Sequence, residues 1–184
     1  MICIRSDFVG SCSNYEALTE YINLSHFLVP QMARDSYRSA ILGPLSLTHA
    51  KISPDVLQEV LNNVGERADQ LPVLQHLMMR LYNFWSAKKK QDRPISIYDY
   101  RAVGGLSEAI SLHAEELFVK LNEEEQETCK SLFQTITESG ADNKGIRRPT
   151  SIKNIIRISK APAEQVFKIA EMFRAEGNSL ITPD

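Results

Sequence analysis

The residue types able to do chemistry are few and scattered. A nucleotide hydrolase needs a glycine-rich phosphate cradle, yet neither G-x-x-x-x-G-K-[ST] nor G-x-G-x-x-G after a strand occurs. No G-x-S-x-G nucleophile elbow is present either. The four histidines, His26, His49, His76 and His113, share no metal-ligand spacing and read as packing or surface residues. Cys3, Cys12 and Cys129 are too few, and odd in number, for a disulfide framework or a zinc site. No metal ligands are therefore assigned. Glu115-Glu116 and Glu123-Glu124-Glu125 read as solvated helix faces and starts. Gly104-Gly105, the one double glycine, reads as a turn before a helix at Ser107.

Four local features ask for more. Arg5 follows apolar Ile2-Cys3-Ile4, where a parallel strand would end and aim a charge at a ligand. On position alone an ordinary surface ion pair is the simpler reading. Leu42-Gly43-Pro44-Leu45 reads as a helix stop, and Leu71-Pro72-Val73-Leu74 as a turn into a helix. Lys88–Lys90 with Arg93, and Arg147-Arg148, are basic clusters with the chemistry to touch phosphates. A solvated helix end and a loop are the simpler readings of those two.

Helices must position these residues. Ser53-Pro54-Asp55 combines a capping hydroxyl, a first-turn proline and an acid at the positive dipole end. Val56, Leu57, Val60, Leu61 and Val64 follow at helical spacing, and Gly65 suits the stop. The helix opening near Pro72 carries Leu74, Leu77, Met78, Leu81, Tyr82 and Trp85 on one stripe. Ser107–Leu121 presents Ile110, Ala114, Leu117, Phe118 and Leu121; Glu123–Glu138 presents Cys129, Leu132, Phe133 and Ile136. Less regular helices are expected around Tyr15–Leu24 and Arg34–Leu42. After a loop at Ser139–Gly145, helices start near Thr150-Ser151 and after Pro162, and Leu180-Ile181 reads as a returning strand. That order is a winged helix cut off before its wing. The fold class is thus mainly α: a helical bundle, an incomplete winged helix, and an isolated N-terminal strand. An isolated strand cannot satisfy its backbone, so both ends suggest a piece of something larger.

Composition sets the outer bounds. The chain has 184 residues, 43% of them hydrophobic and 24% charged, as in ordinary globular proteins. With 21 Lys+Arg against 23 Asp+Glu, the formal net charge is −2. Nucleic acid is therefore not the expected partner, although a local basic patch remains compatible. The chain lacks an apolar run of the roughly 20 residues that span a bilayer, and Met1–Arg5 lacks a signal-peptide core. A reduced, cytoplasmic setting without a membrane partner is expected.

Taken in order, several motifs resemble one family. They are Arg5-Ser6-Asp7-Phe8, Tyr15-Glu16-Ala17-Leu18, Phe27-Leu28-Val29-Pro30-Gln31-Met32, Ala40-Ile41-Leu42-Gly43-Pro44 and Leu71-Pro72-Val73-Leu74-Gln75-His76-Leu77. Tyr98-Asp99-Tyr100-Arg101-Ala102-Val103-Gly104-Gly105-Leu106 and Arg147-Arg148-Pro149-Thr150 complete the set. Together they resemble the bacterial STAND NTPases, signal-transduction P-loop ATPases often fused to WD40 or other repeats.

The resemblance implies a domain map. Residues 1–8 would be the last strand of a P-loop core, 9–121 a helical lid, and 122–184 the incomplete winged helix, a switch element in this family. It also implies that Arg5 is the sensor facing the nucleotide's terminal phosphate, and that Leu71 and Pro72 lie near the adenine. The family's G-x-P element lacks its glycine here, because Gln70 precedes Leu71. Gly43-Pro44 matches a structural turn of the lid. ATP or ADP with Mg is implied for the full-length parent, and none for this portion alone, which lacks the phosphate-binding loop and the magnesium-binding acid. ADP would hold lid and winged helix closed, and ATP would release them for self-association. Implied partners are the nucleotide-binding core and a C-terminal repeat domain. A winged-helix transcriptional regulator reading DNA with residues 162–176, and a helical protein–protein adaptor, are the alternatives. Glu164, Glu171 and Glu176 weigh against the first.

Overall fold

The computed structural model describes residues 3–4, 6–64, 70–88, 93–139 and 145–181. The chain divides into two units, 1–33 and 34–184. The first contains a 3-10 helix, Ser6–Asn14, and helix α1, Glu16–Ser25. Thr19 ties them by donating its hydroxyl to the Cys12 carbonyl at 3.1 Å. Helix α1 buries no residue, and Tyr21, Leu24, Phe27, Leu28 and Val29 are exposed. The strand expected over 1–8 differs from what is observed among its described residues. Cys3 and Ile4 have no regular structure, and Ser6–Phe8 belong to the 3-10 helix. An extended segment with no paired neighbour has nothing to complete its backbone hydrogen bonds, whereas a 3-10 turn bonds locally.

The second unit is mainly helical: α2 (Arg34–Leu47), α3 (Pro54–Asn63), α4 (Gln70–Ser86), α5 (Ile97–Ala102), α6 (Gly105–Phe118), α7 (Glu123–Ile136), α8 (Ile152–Ser159) and α9 (Ala163–Arg174). A short antiparallel hairpin, β1 (Thr137–Ser139) with β2 (Gly145–Arg147), joins α7 to α8. The helix stop expected at Gly43-Pro44 does not occur, and α2 runs through Pro44 to Leu47. Ile41 and Leu45 on either side are buried, so packing holds the helix. Ala40, whose carbonyl Pro44 has no N–H to bond, is exposed to water. The expected strand at Leu180-Ile181 is a turn, with both N–H groups directed at the Phe173 carbonyl, 2.9 and 3.3 Å away. Gly65, Lys89 and Lys90 lie outside the described residues.

Two apolar clusters fill this unit. The first joins α2, α3, α4, α5 and the start of α6 through Ile41, Val56, Val60, Leu77, Leu81, Ile95 and Ala109. The second joins the end of α6 to α7, α8 and α9 through Leu117, Leu121, Leu132, Ile155, Ile169 and Phe173. Phe133 meets Phe173 edge-on, with ring centroids 4.9 Å apart. Helix α6 therefore enters both. Its buried residues include Leu106, Ala109, His113 and Leu117; of the expected stripe, Leu117 and Leu121 are buried and Ala114 and Phe118 pack on the second cluster, while Ile110 lies exposed. Gly104 and Gly105 suit the turn into α6, with φ of +87° and +57°. A Cβ on Gly105 would sit 3.0 Å from the Tyr100 ring, whose hydroxyl accepts the Leu106 N–H at 3.2 Å.

One ionic knot fixes the link between α4 and α5. Asp99 is fully buried and accepts from Arg93 at 2.6 and 2.8 Å, Lys88 at 2.9 Å, and the Ser96 amide and hydroxyl at 3.0 and 2.8 Å. Arg93 first, then the other donors, holds its carboxyl far below the usual range against the opposing effect of burial. The basic cluster at the end of α4 is thus partly a counter-charge, not only a solvated helix end. Asp99→Asn should cost roughly 2–3 kcal/mol in urea unfolding, by losing charge-assisted bonds and a helix cap. Because the folded-state pKa is depressed, the wild-type advantage is full above about 3.8 and fades as pH falls through and below it.

Candidate functional site

Helix α4 carries the expected base-facing residues at one end and a polar cluster along its length. Leu71 and Pro72 occupy its first turn, where proline costs no intrahelical bond. Both are exposed, Leu71 at 39%. They form a small exposed apolar ledge at the start of α4. Arg5 lies outside the described residues.

One turn beyond Pro72, His76 points across to α6. Its Nε2 is 3.1 Å from Nδ1 of His113, and the ring centroids are 5.1 Å apart. At that distance one neutral imidazole donates to the other. Arg80, one further turn along, is buried; it donates to the Ala109 carbonyl at 3.3 Å and to Glu116 Oε1 at 2.6 Å. The turn following α9 reaches the same place. Asn178 lies close enough to His113 to raise its pKa and donates to the Met172 carbonyl at 2.7 Å, and Gly177 lies near Asn83 of α4. His76, Arg80, His113, Glu116 and Asn178 therefore form one polar junction where α4, α6 and the end of α9 meet.

Sequence spacing brought none of these five together, because the two histidines lie 37 positions apart. The available signal was slight: His113 falls on the stripe of Leu106, Ala109 and Leu117, a buried position for a polar ring. Burial is the main cause that lowers both histidine pKa values. For His76 the neighbouring His113 and Arg80 charges add to it; for His113, Arg80 adds while Glu116 and Asn178 oppose. Cys129, in the second cluster, has its thiol pushed up to about 11 by burial and is no nucleophile.

Leu71 and Pro72 thus lie at one end of a helix whose middle contacts α6, and α6 enters both apolar clusters. Compared with known protein families, the chain matches the model described as Novel STAND NTPase 1 over residues 1–184, and it belongs to that family. No curated protein and no solved structure matches it. Among the described residues, no helix is long and apolar enough to cross a membrane.

The family implies a nucleotide with magnesium. Leu71 and Pro72, expected to face the base, are exposed and apolar. Among the described residues no three His, Cys, Asp or Glu side chains converge on a point that could hold the metal.

The junction has a pH signature. Both histidines have folded-state pKa values below the ordinary 6.5, so the unfolded chain binds protons first as pH falls. Stability from the pair is full above about pH 6.5 and declines below it. The thermal midpoint should therefore drop between pH 7 and pH 5, and the double variant His76→Gln with His113→Gln should show a visibly shallower drop in the same scan.

Proposed function

We propose that this chain is the nucleotide-sensing lid and conformational switch of a STAND-type signalling ATPase, and that it does not hydrolyse nucleotide by itself. The observation that carries this reading is the family match along the whole chain. The course of α4 supports it physically. One end of the helix would offer Leu71 and Pro72 to a base, and its middle is hydrogen-bonded to α6 and lies near the turn after α9. A shift of α4 on nucleotide exchange would be felt at His113 and Asn178, and so by α7–α9. Those helices, with the hairpin between α7 and α8, are read as the winged-helix element of the switch.

Nucleotide state biases such a lid only through contacts that differ between the closed and released forms. ADP would favour the closed form and ATP the released one, in which the parent self-associates. Arg5 is assigned as the sensor of the terminal phosphate in the full-length protein. ATP or ADP with Mg, a nucleotide-binding core and a C-terminal repeat domain belong to that parent.

The test is nucleotide binding and turnover in the full-length parent. Leu71→Asp with Pro72→Ala should weaken ADP binding about tenfold, equivalent to about 1.4 kcal/mol, without altering the circular dichroism spectrum. Arg5→Ala should reduce discrimination between ADP and ATP. If both variants bind and turn over nucleotide as the wild type does, the lid and sensor assignments are wrong.

A further inference from the structure

Between β2 and α9 the chain carries charge of one sign. From Gly145 to Ala163 the sequence holds Arg147, Arg148, Lys153, Arg157 and Lys160 but no Asp or Glu, in a chain whose net charge is −2. Helix α8 sorts these residues by face. Ile152, Ile155 and Ile156 pack into the second cluster. Lys153, Arg157 and the C-cap residue Lys160 follow at i, i+4 and i+7, inside a sector of about 60° beside that apolar face and spread over about 10 Å. Each is exposed, as is Arg148 just before the helix. Among the described residues, no ion pair or side-chain hydrogen bond occupies any of these four.

Three described cations on α7 and α9 behave differently. Lys130, Lys168 and Arg174 are each paired, with Glu127, Glu125 and Glu171. Helix α9 thus spends its positive charge internally and shows Glu164 and Glu171 to solvent, which makes it a poor groove reader. Helix α8 is joined to α9 by the short turn Lys160-Ala161-Pro162. In helix-turn-helix geometry the first helix of such a pair crosses the phosphate backbone. A protein partner would want a buried aromatic or apolar centre. Helix α8 has no aromatic residue, and Ile158 is its single exposed large apolar side chain. A phosphate backbone asks only for positioned cations.

We propose that the exposed face of α8, together with Arg148, binds the phosphate backbone of duplex DNA without reading its bases. The contact adds a ligand to the C-terminal cluster that does not depend on nucleotide binding by the parent.

Fluorescence anisotropy of the full chain with a labelled 20-base-pair duplex of arbitrary sequence tests this. Four phosphate contacts predict a salt slope near −3.6, hence roughly a hundredfold weaker binding at 200 mM than at 50 mM salt. A second duplex of unrelated sequence should bind equally. The triple reversal Lys153→Glu, Arg157→Glu, Lys160→Glu should abolish binding. Reversing Lys51, Arg101 and Lys120, which changes net charge by the same amount, should leave most of it. If the first triple variant fails to fold by circular dichroism, the Gln triple at the same positions should still weaken binding at least tenfold. The proposal is overturned by no binding at 50 mM salt, or by equal loss in the two reversal variants. Tighter binding to vesicles of anionic phospholipid than to the duplex would also overturn it.

Discussion

Everything in the larger unit depends on α6 being buried along its length against two different sets of neighbours. Leu106 and Ala109 belong to one apolar cluster, Leu117 and Leu121 to the other. A helix shared in this way cannot rotate or slide to improve one cluster without opening the other, because interiors at crystal-like density transmit displacement rather than absorb it. The Arg80 guanidinium adds a directional restraint at the crossover, gripping both the Ala109 carbonyl and the Glu116 carboxylate. Since Arg80 is buried while Glu116 is half in solvent, the pair fixes geometry more than it adds free energy.

That arrangement explains why the polar groups gather where they do. Between two apolar clusters some backbone and side-chain polarity must be neutralised without water: His76 and His113 bond one another, and Asn178 bonds the Met172 carbonyl. The same place is where α4, α6 and the end of α9 converge. In the proposed lid, a change at the Leu71–Pro72 end of α4 would reach the C-terminal helices through this contact, which requires two discrete arrangements of the junction.

Much of the helical layout was legible in the sequence. The stripes of α3 and α4 and the acidic first turn of α7 locate those elements within a few residues, because each combines a start signal with an unbroken apolar face. Failures have identifiable physical origins. Pro44 looked like a stop, yet buried Ile41 and Leu45 outweigh one lost backbone bond. The stripe of α6 was ambiguous because its two halves face different clusters, so Ile110 and Ala109 competed for the same inward role. The hairpin was missed because Thr137–Ser139 is polar and shows no alternation. The Asp99 knot had a local cue, Ser96 and Asp99 at capping-box spacing, but its cations come from beyond the helix. Nothing along the chain announces that His76 and His113 touch. Leu71 and Pro72 were singled out by the family resemblance alone, and the family match supports that resemblance.

Trp85 gives this organisation an optical consequence. It is the single tryptophan of the chain, buried in the first cluster with its indole N–H donated to the Arg93 carbonyl at 2.8 Å. Its emission therefore monitors the surroundings of α4 and is nearly blind to α7–α9. Far-ultraviolet circular dichroism weighs every helix. Superimposable transitions by the two probes would mean that α6 binds both clusters into one cooperative unit; separated transitions would reveal the order in which they come apart.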